Sequence, residues 1–167
     1  MSANPTQRFS NRVENYIKYR PHYPQALWEF FRTTLHLTER SVIAEVGSGT
    51  GILTDPLLQA GATVYAIEPN REMREAAERL LSDRTGFISI DGTAEHTNLS
   101  DKSVDMVVAA QAFHWFDREP TKAEFRRIIR PGGLVVLIWN DRRTDTTPFL
   151  REYEGLLLEL ATDYKEV

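Results

Sequence analysis

Five short apolar runs, set between amphipathic stretches, constrain this chain more than any other feature. They are Val42–Val46, Thr63–Ile67, Phe87–Ile90, Val104–Ala110 and residues 134–139. Each is too short for a helix and apolar nearly throughout, as strands buried on both faces are. Helical spacing fills the gaps. Ala26, Leu27, Phe30, Phe31 and Leu35 recur at that spacing after Pro24, a favoured first-turn residue. Met73, Ala76, Ala77, Leu80 and Leu81 do so after Asn70, a residue suited to capping. Phe125, Ile128 and Ile129 follow Pro120; Phe149, Leu150, Tyr153, Leu156, Leu157 and Leu160 follow Thr147 and Pro148. Residues 52–58 read as a helix that begins late or kinks, because they contain Pro56. Between Ile90 and Val104 the pattern predicts mostly loop, with Asp101-Lys102-Ser103 as a turn. The order predicts an α/β fold: a mostly parallel sheet with helices on both faces.

Composition narrows the functional classes. The chain has 167 residues, a length for one domain, and 41% of them are hydrophobic, enough for a core. A formal net charge of −4 argues against a broad nucleic-acid or anionic-membrane surface. The count of 0 Cys excludes disulfides, thiolate metal sites and a cysteine nucleophile, and fits a reducing, cytoplasmic address. No apolar run approaches the roughly 18 residues of a membrane span, and residues 1–15 show no secretory signal. The four His residues (22, 36, 96 and 114) form no zinc pattern, so no metal site is expected. No hydrolase G-x-S-x-G elbow occurs.

In parallel α/β sheets, ligands bind at the carboxyl ends of the strands, near the reversal of strand order. The first such place reads Glu45-Val46-Gly47-Ser48-Gly49-Thr50-Gly51. Alternate glycines permit a tight turn and a close ligand, and the following helix aims N–H groups at it. Two ligand classes compete here. A dinucleotide loop is G-x-G-x-x-G, but Ile52 stands where its third glycine belongs. Glu45, two residues before the loop, would repel a pyrophosphate and suit a cation. S-adenosylmethionine fits better: Glu45 can face its ammonium, and the backbone of Gly47, Gly49 and Gly51 with the helix start can face its carboxylate. Glu68 closes the second run roughly twenty residues after the first glycine, the spacing of an acid that accepts from ribose hydroxyls. A dinucleotide has the same ribose, so Glu68 does not separate the two. Met73 either covers an adenine face or belongs to the core.

With these residues the chain resembles the class I S-adenosylmethionine-dependent methyltransferases. The resemblance is to the small-molecule branch of quinone-biosynthesis and trans-aconitate-type enzymes. The residues that carry it are Glu45 to Gly51, Glu68-Pro69, Asp91-Gly92-Thr93-Ala94-Glu95 and Arg130-Pro131-Gly132-Gly133. Tyr19-Arg20-Pro21-His22-Tyr23-Pro24 and Ala112-Phe113-His114-Trp115-Phe116 are similar to the trans-aconitate-type subgroup. The resemblance runs from about Phe9 to the last helix. It implies a Rossmann-like methyltransferase fold, with Ser48 and its glycines at the amino-acid end of the cofactor. It implies Glu68 and Pro69 at the ribose, and Thr93, Ala94 and Glu95 along the adenine. Many relatives carry an acid where this chain has Thr93, which leaves Glu95 or a backbone group to meet the adenine amine. The family sheet normally closes with two more strands. The expectation here is therefore a sheet lacking them, with residues 134–138 as an apolar edge, on a chain that is either a fragment of a longer protein or completed by a partner such as a second copy. The reading divides the chain into 1–40, a helical segment and cofactor lid, and 41–167, the cofactor-binding domain.

The acceptor side is read from the end of the fourth run. Gln111 is expected at the methionine portion, with His114 and Trp115 at the reaction centre. Phe113 and Phe116 either wall off water or join the core. His114 is the candidate base; its alternatives are to orient the acceptor or only to pack. Tyr19 and Arg20, with Tyr16 and Tyr23, either cap the pocket or pack on the sheet edge. The Asp/Asn-Pro-Pro-aromatic tetrapeptide of the relatives that methylate exocyclic base amines or glutamine does not occur here, so the resemblance does not extend to those acceptors. The expected activity is methylation of a small molecule, a carboxylic acid first. The alternatives are a cofactor-binding module without turnover and an NAD-dependent oxidoreductase.

Overall fold

A computed structural model describes residue 19 and residues 22–141 and 143–161. The elements run α1 (Gln25–Thr33), β1 (Val42–Val46), α2 (Thr54–Gln59), β2 (Thr63–Ile67), α3 (Arg71–Leu81) and β3 (Phe87–Ile90). They continue β4 (Val104–Ala110), a 3-10 turn (Phe113–Trp115), α4 (Arg118–Ile128), β5 (Ile129–Ile138) and α5 (Pro148–Leu160). All strand pairs are parallel, in the order β3-β2-β1-β4-β5. The chain builds outward from β1 to β3, then returns to the other side of β1 with β4. The reversal therefore falls between the ends of β1 and β4.

Strand alternation sends successive side chains to opposite faces, and the core divides accordingly. Ile43, Val64, Met106 and Val108 pack with Phe31 of α1, Leu57 of α2 and Leu81 of α3. Ala44, Ile67, Val104 and Val107 pack with Phe125 and Ile128 of α4 and with Leu99. Both faces of β1, β2 and β4 are covered, as their apolar runs require, whereas β5, also expected to be buried, leaves Leu134, Val135 and Leu137 exposed. Two predicted helix starts are built as expected. The Asn70 side chain accepts from the Met73 N–H at 2.9 Å, and Thr147 from Leu150 at 3.2 Å. Among the described residues, no helix is long and apolar enough to cross a membrane.

Three local features differ from the sequence pattern. Leu35 falls outside α1, which ends at Thr33 before His36 adopts φ 55°. The fifth strand begins at Ile129 rather than 134, directly after α4. Its Arg130-Pro131-Gly132-Gly133 segment is a bulge: Val104 faces Ile129, but Met106 already faces Leu134. A 3-10 turn follows β4 where the pattern gave only a run of aromatics. As expected, residues 91–103 have no regular structure, and Glu124 of α4 holds them down. It accepts from the N–H and hydroxyl of Thr97 at 2.8 and 2.5 Å, and from Arg127, which also reaches Asp101.

The Arg127 guanidinium, opposed by partial burial and helped by Thr97, holds the Glu124 carboxyl down to about 2. Since its ordinary value is 4.5, this anchor contributes fully above that pH and is lost as pH falls through about 2. Glu124→Gln will therefore lower stability at about pH 6 and flatten its acid dependence, read from urea midpoints at about pH 6 and pH 2.5.

Candidate functional site

The ends of β1, β2 and β4 bring the predicted loop, the ribose acid and the aromatic segment to one place. A cleft there is lined by Glu45, Ser48, Thr50 and Gln111, with Tyr23 at its side. Glycine at 47 is dictated by a close approach. A Cβ there would lie 2.6 Å from the Ala112 Cβ, on a backbone with φ +71°. Gly51 serves packing in the same way, with Leu81 of α3 only 2.5 Å from where its Cβ would be. The glycines thus let the loop lie against both α3 and the segment after β4.

The N–H groups of Gly47, Ser48, Gly49 and Gly51 are already engaged. Gly47 and Ser48 donate to the Ile67 carbonyl at 2.9 and 3.1 Å, and Gly51 donates to the Ser48 carbonyl. Gly49 donates to Glu68 Oε2 at 2.9 Å. Helix α2 has six residues and begins only at Thr54, three positions beyond the last glycine, so Pro56 falls in its first turn. What the glycines offer a ligand is room.

Two carboxyl groups flank this loop. Glu45 is 2% exposed and accepts from the Thr54 hydroxyl at 2.6 Å. Burial, with a smaller repulsion from Glu68, outweighs the Thr54 hydrogen bond and pushes its carboxyl up to about 8. Glu68, 7% exposed, accepts from Gly49 through Oε2 and from Asn70 N–H through Oε1 at 2.8 Å. Burial raises its carboxyl too, against these two hydrogen bonds and Arg74. A carboxylate accepts about four hydrogen bonds, so Glu68 keeps lone pairs for a ligand's hydroxyls.

Opposite the acids stand unsatisfied groups. Gln111 has φ 56°, a conformation a side chain rarely adopts, and its N–H donates to the Ile138 carbonyl at 2.9 Å. Its Nε2 is buried with no hydrogen-bond partner among the described residues, and so is the Thr50 hydroxyl. Buried polar atoms in native structures are nearly always satisfied, so both call for a bound group. A cleft with a buried acid and two free polar groups suits a ligand that is both cationic and anionic at one end.

The remaining predicted residues distribute as follows. Met73 is buried with its sulfur 3.9 Å from where a Gly49 Cβ would stand, so it packs beneath the loop. Pro69 follows Glu68 at the bend into α3 and is half-buried. Ala94 is buried, and Thr93 is half-buried with its N–H on the His96 carbonyl. Glu95 directs a carboxylate oxygen at the Asp117 N–H, 2.9 Å away at the start of α4. Burial raises its carboxyl, but that bond and Thr93 bring it below the ordinary value. His114 and Trp115 are both exposed on the 3-10 turn, with rings 4.8 Å apart. Phe116 packs on the core with Phe125, while Phe113 meets exposed Trp139 edge-on at 6.2 Å. Tyr19 is 70% exposed. Arg20 and Tyr16 lie outside the described residues. Among the described residues, no group of three His, Asp or Glu could hold a metal ion.

Two contributors were not identified from the sequence. Thr54, fully buried, supplies the hydroxyl on Glu45. Arg74 donates to the Glu68 carbonyl at 2.8 Å and to Asp91 at 3.0 Å, linking the ends of β2 and β3. Arg74 sits one position after a buried Met73, and only the helix register brings it back over Glu68. Between pH 4.5 and 8, folded Glu45 keeps a proton that the unfolded chain releases. Stability from this group therefore falls as pH rises through that window. Glu45→Gln will remove this slope, measured by urea midpoints at about pH 5 and about pH 8.

Comparison with known proteins agrees with this geometry. Residues 44–137, more than half of the chain, match the methyltransferase domain family. An uncharacterised methyltransferase of Mycobacterium tuberculosis is 37% identical over 134 residues, covering 80% of this chain and 52% of the relative. An uncharacterised methyltransferase-like protein of Schizosaccharomyces pombe is 32% identical over 153 residues, 89% of this chain and 57% of its own. The structure of a candidate type II methyltransferase from Anaeromyxobacter dehalogenans superposes with a TM-score of 0.68 at 31% identity. That match covers 84% of this chain and 59% of the other. The chain spans about half the length of the curated relatives it matches. With the five-stranded parallel sheet and its glycine loop, these matches show that the chain belongs to the methyltransferase domain family.

Proposed function

We propose that the chain forms the cofactor-binding part of an S-adenosylmethionine-dependent methyltransferase acting on a small molecule. The observation that carries the proposal is the pairing of buried Glu45 with the unsatisfied Gln111 amide and Thr50 hydroxyl across one cleft. The methionine end of this cofactor is a zwitterion. Its ammonium suits Glu45, and its carboxylate suits the amide and hydroxyl donors. Glu68 accepts from the ribose hydroxyls. Thr93 and Ala94 border the adenine, and the engagement of Glu95 with α4 leaves a backbone group for the adenine amine. When bound, the cofactor supplies an electrophilic methyl on sulfur.

The protein's part is then orientation and exclusion of water. Gln111 is fixed by its backbone bond to β5, and exposed Trp115 and the Phe113–Trp139 pair provide apolar cover beside it. The acceptor class we favour is a carboxylic acid, already a nucleophile and in no need of a base. The trans-aconitate-type resemblance and Arg20 support it. His114 then orients the acceptor. We also assign the chain to the cytoplasm, on its lack of cysteine.

Calorimetry with S-adenosylhomocysteine and NAD in parallel tests the cofactor. The adenosyl ligand will bind and NAD will not; the reverse would refute the proposal. Glu68→Ala will weaken adenosyl-ligand binding by about 1–3 kcal/mol, the scale of a lost buried charged hydrogen bond. An ammonium beside Glu45 favours its ionised form, so binding at about pH 7 will release a proton, seen as a dependence on buffer ionisation enthalpy. Glu45→Gln will abolish that release. Methyl transfer to a panel of carboxylic acids, phenols and amines tests turnover, and cofactor binding without transfer would favour a binding module.

A further inference from the structure

The hydroxyl of Thr54 does no work in its own helix. Thr54 is the first residue of α2, whose N-cap, Leu53, provides no side-chain hydrogen bond. A Thr hydroxyl at such a place usually caps the helix or turns back on the carbonyl four residues earlier. Here it reaches back past the glycine loop to the end of β1 and donates to Glu45 Oε2 at 2.6 Å. Packing does not ask for a hydroxyl either. Thr54 is fully buried, and its helix neighbours Leu53 and Leu57 belong to the apolar core. Valine has the same shape and would avoid burying a polar group there.

The bond matters because Glu45 has so few others. Among the described residues, no second group donates to it. Thr54 holds Oε2, which leaves Oε1 for a ligand in the cleft that Glu45 lines. The charges around Glu45 do not help it ionise. Glu68, at the end of β2, repels it. Tyr23 lines the cleft from the segment before α1, and β4 contributes the neutral Gln111. Asp55, next to Thr54 on α2, is turned to Arg84 and Gln59. Against burial and Glu68, the Thr54 hydroxyl is the one group that favours the carboxylate.

We propose that Thr54 is a positioning residue for the cofactor: its hydroxyl fixes Glu45 and favours its ionised form, so that the cleft selects an adenosyl thioether that carries an ammonium. The inference rests on the assignment of the cleft to S-adenosylmethionine. An ammonium pairs with ionised Glu45, whereas the free protein keeps this carboxyl protonated up to about pH 8. Affinity for an ammonium ligand therefore rises with pH below about 8. Loss of the hydroxyl removes a donor to the ionised form, moves the Glu45 titration to higher pH and weakens the ligand at neutral pH.

The test compares the full chain with Thr54→Val, Thr54→Ala and Thr54→Ser by two measurements. The first needs no ligand: carbon-13 NMR of carboxyl-labelled glutamate, with the Glu45 signal assigned through Glu45→Gln. Its titration midpoint will rise in Thr54→Val and Thr54→Ala and return toward the wild-type value in Thr54→Ser. The second is calorimetry at about pH 7 with S-adenosylhomocysteine and with its deamino analogue, which differs only in lacking the ammonium. The wild type will favour S-adenosylhomocysteine. Thr54→Val and Thr54→Ala will each weaken that ligand about tenfold, the scale of a lost hydrogen bond to a charged group, and the deamino analogue less than about twofold. Thr54→Ser will stay within about threefold of wild type for both. An unmoved Glu45 midpoint in Thr54→Val and Thr54→Ala would overturn the proposal, and so would an equal loss of both ligands, while the cofactor assignment would stand. A wild type that binds neither ligand, or that does not favour S-adenosylhomocysteine, would refute the Glu45–ammonium contact itself and the proposal with it.

Discussion

Two carboxyl groups buried on either side of one glycine loop set the terms for the rest of this structure. Among the described residues, neither Glu45 nor Glu68 faces a charged side chain at hydrogen-bond distance; their partners are the Thr54 hydroxyl and the N–H groups of Gly49 and Asn70. Burying carboxylates this way is costly, and the raised titration of both shows that cost. A site built so favours a ligand that brings a cation and hydroxyl donors. A pyrophosphate would add negative charge to a crevice that already resists it. The electrostatics thus separate two cofactor classes that a glycine-rich loop alone does not.

The fold delivers these groups to one place through its strand order. Because β4 returns to the far side of β1, Gln111 at the end of β4 stands across from the loop at the end of β1. Its left-handed backbone is held by the Ile138 carbonyl, so the position of the amide depends on β5. Ala112, packed against Gly47, sets how closely the aromatic segment approaches the loop. The glycine loop and the aromatic segment after β4 are therefore one mechanical unit.

The parts of this arrangement legible in the sequence were those with local physical causes. Runs of β-branched residues gave the strands, and Asn70 and Thr147 marked helix starts because a side chain reaching three residues ahead is a short-range event. The Glu45 and Glu68 assignments rested on their position at strand ends, and both acids stand beside the loop. Features that depend on tertiary contact were not readable. Glu95 turns to α4 because the chain brings Asp117 beside it, 22 residues later in sequence. The engaged N–H groups of the loop depend on the Ile67 carbonyl of a neighbouring strand. The bulge at Pro131-Gly132-Gly133 lengthens β5 only because β4 is there to pair with Ile129. Thr54 and Arg74 carry no signal of their own; their roles come from helix register against a neighbouring strand.

A crystal structure of the chain with S-adenosylhomocysteine addresses the central claim most directly. On this account the amino group will lie within hydrogen-bond distance of the Glu45 carboxyl, and the ligand carboxylate will satisfy the Gln111 amide and the Thr50 hydroxyl. A bound ligand that leaves those two donors orphaned, or presents its carboxylate to Glu45, would contradict it.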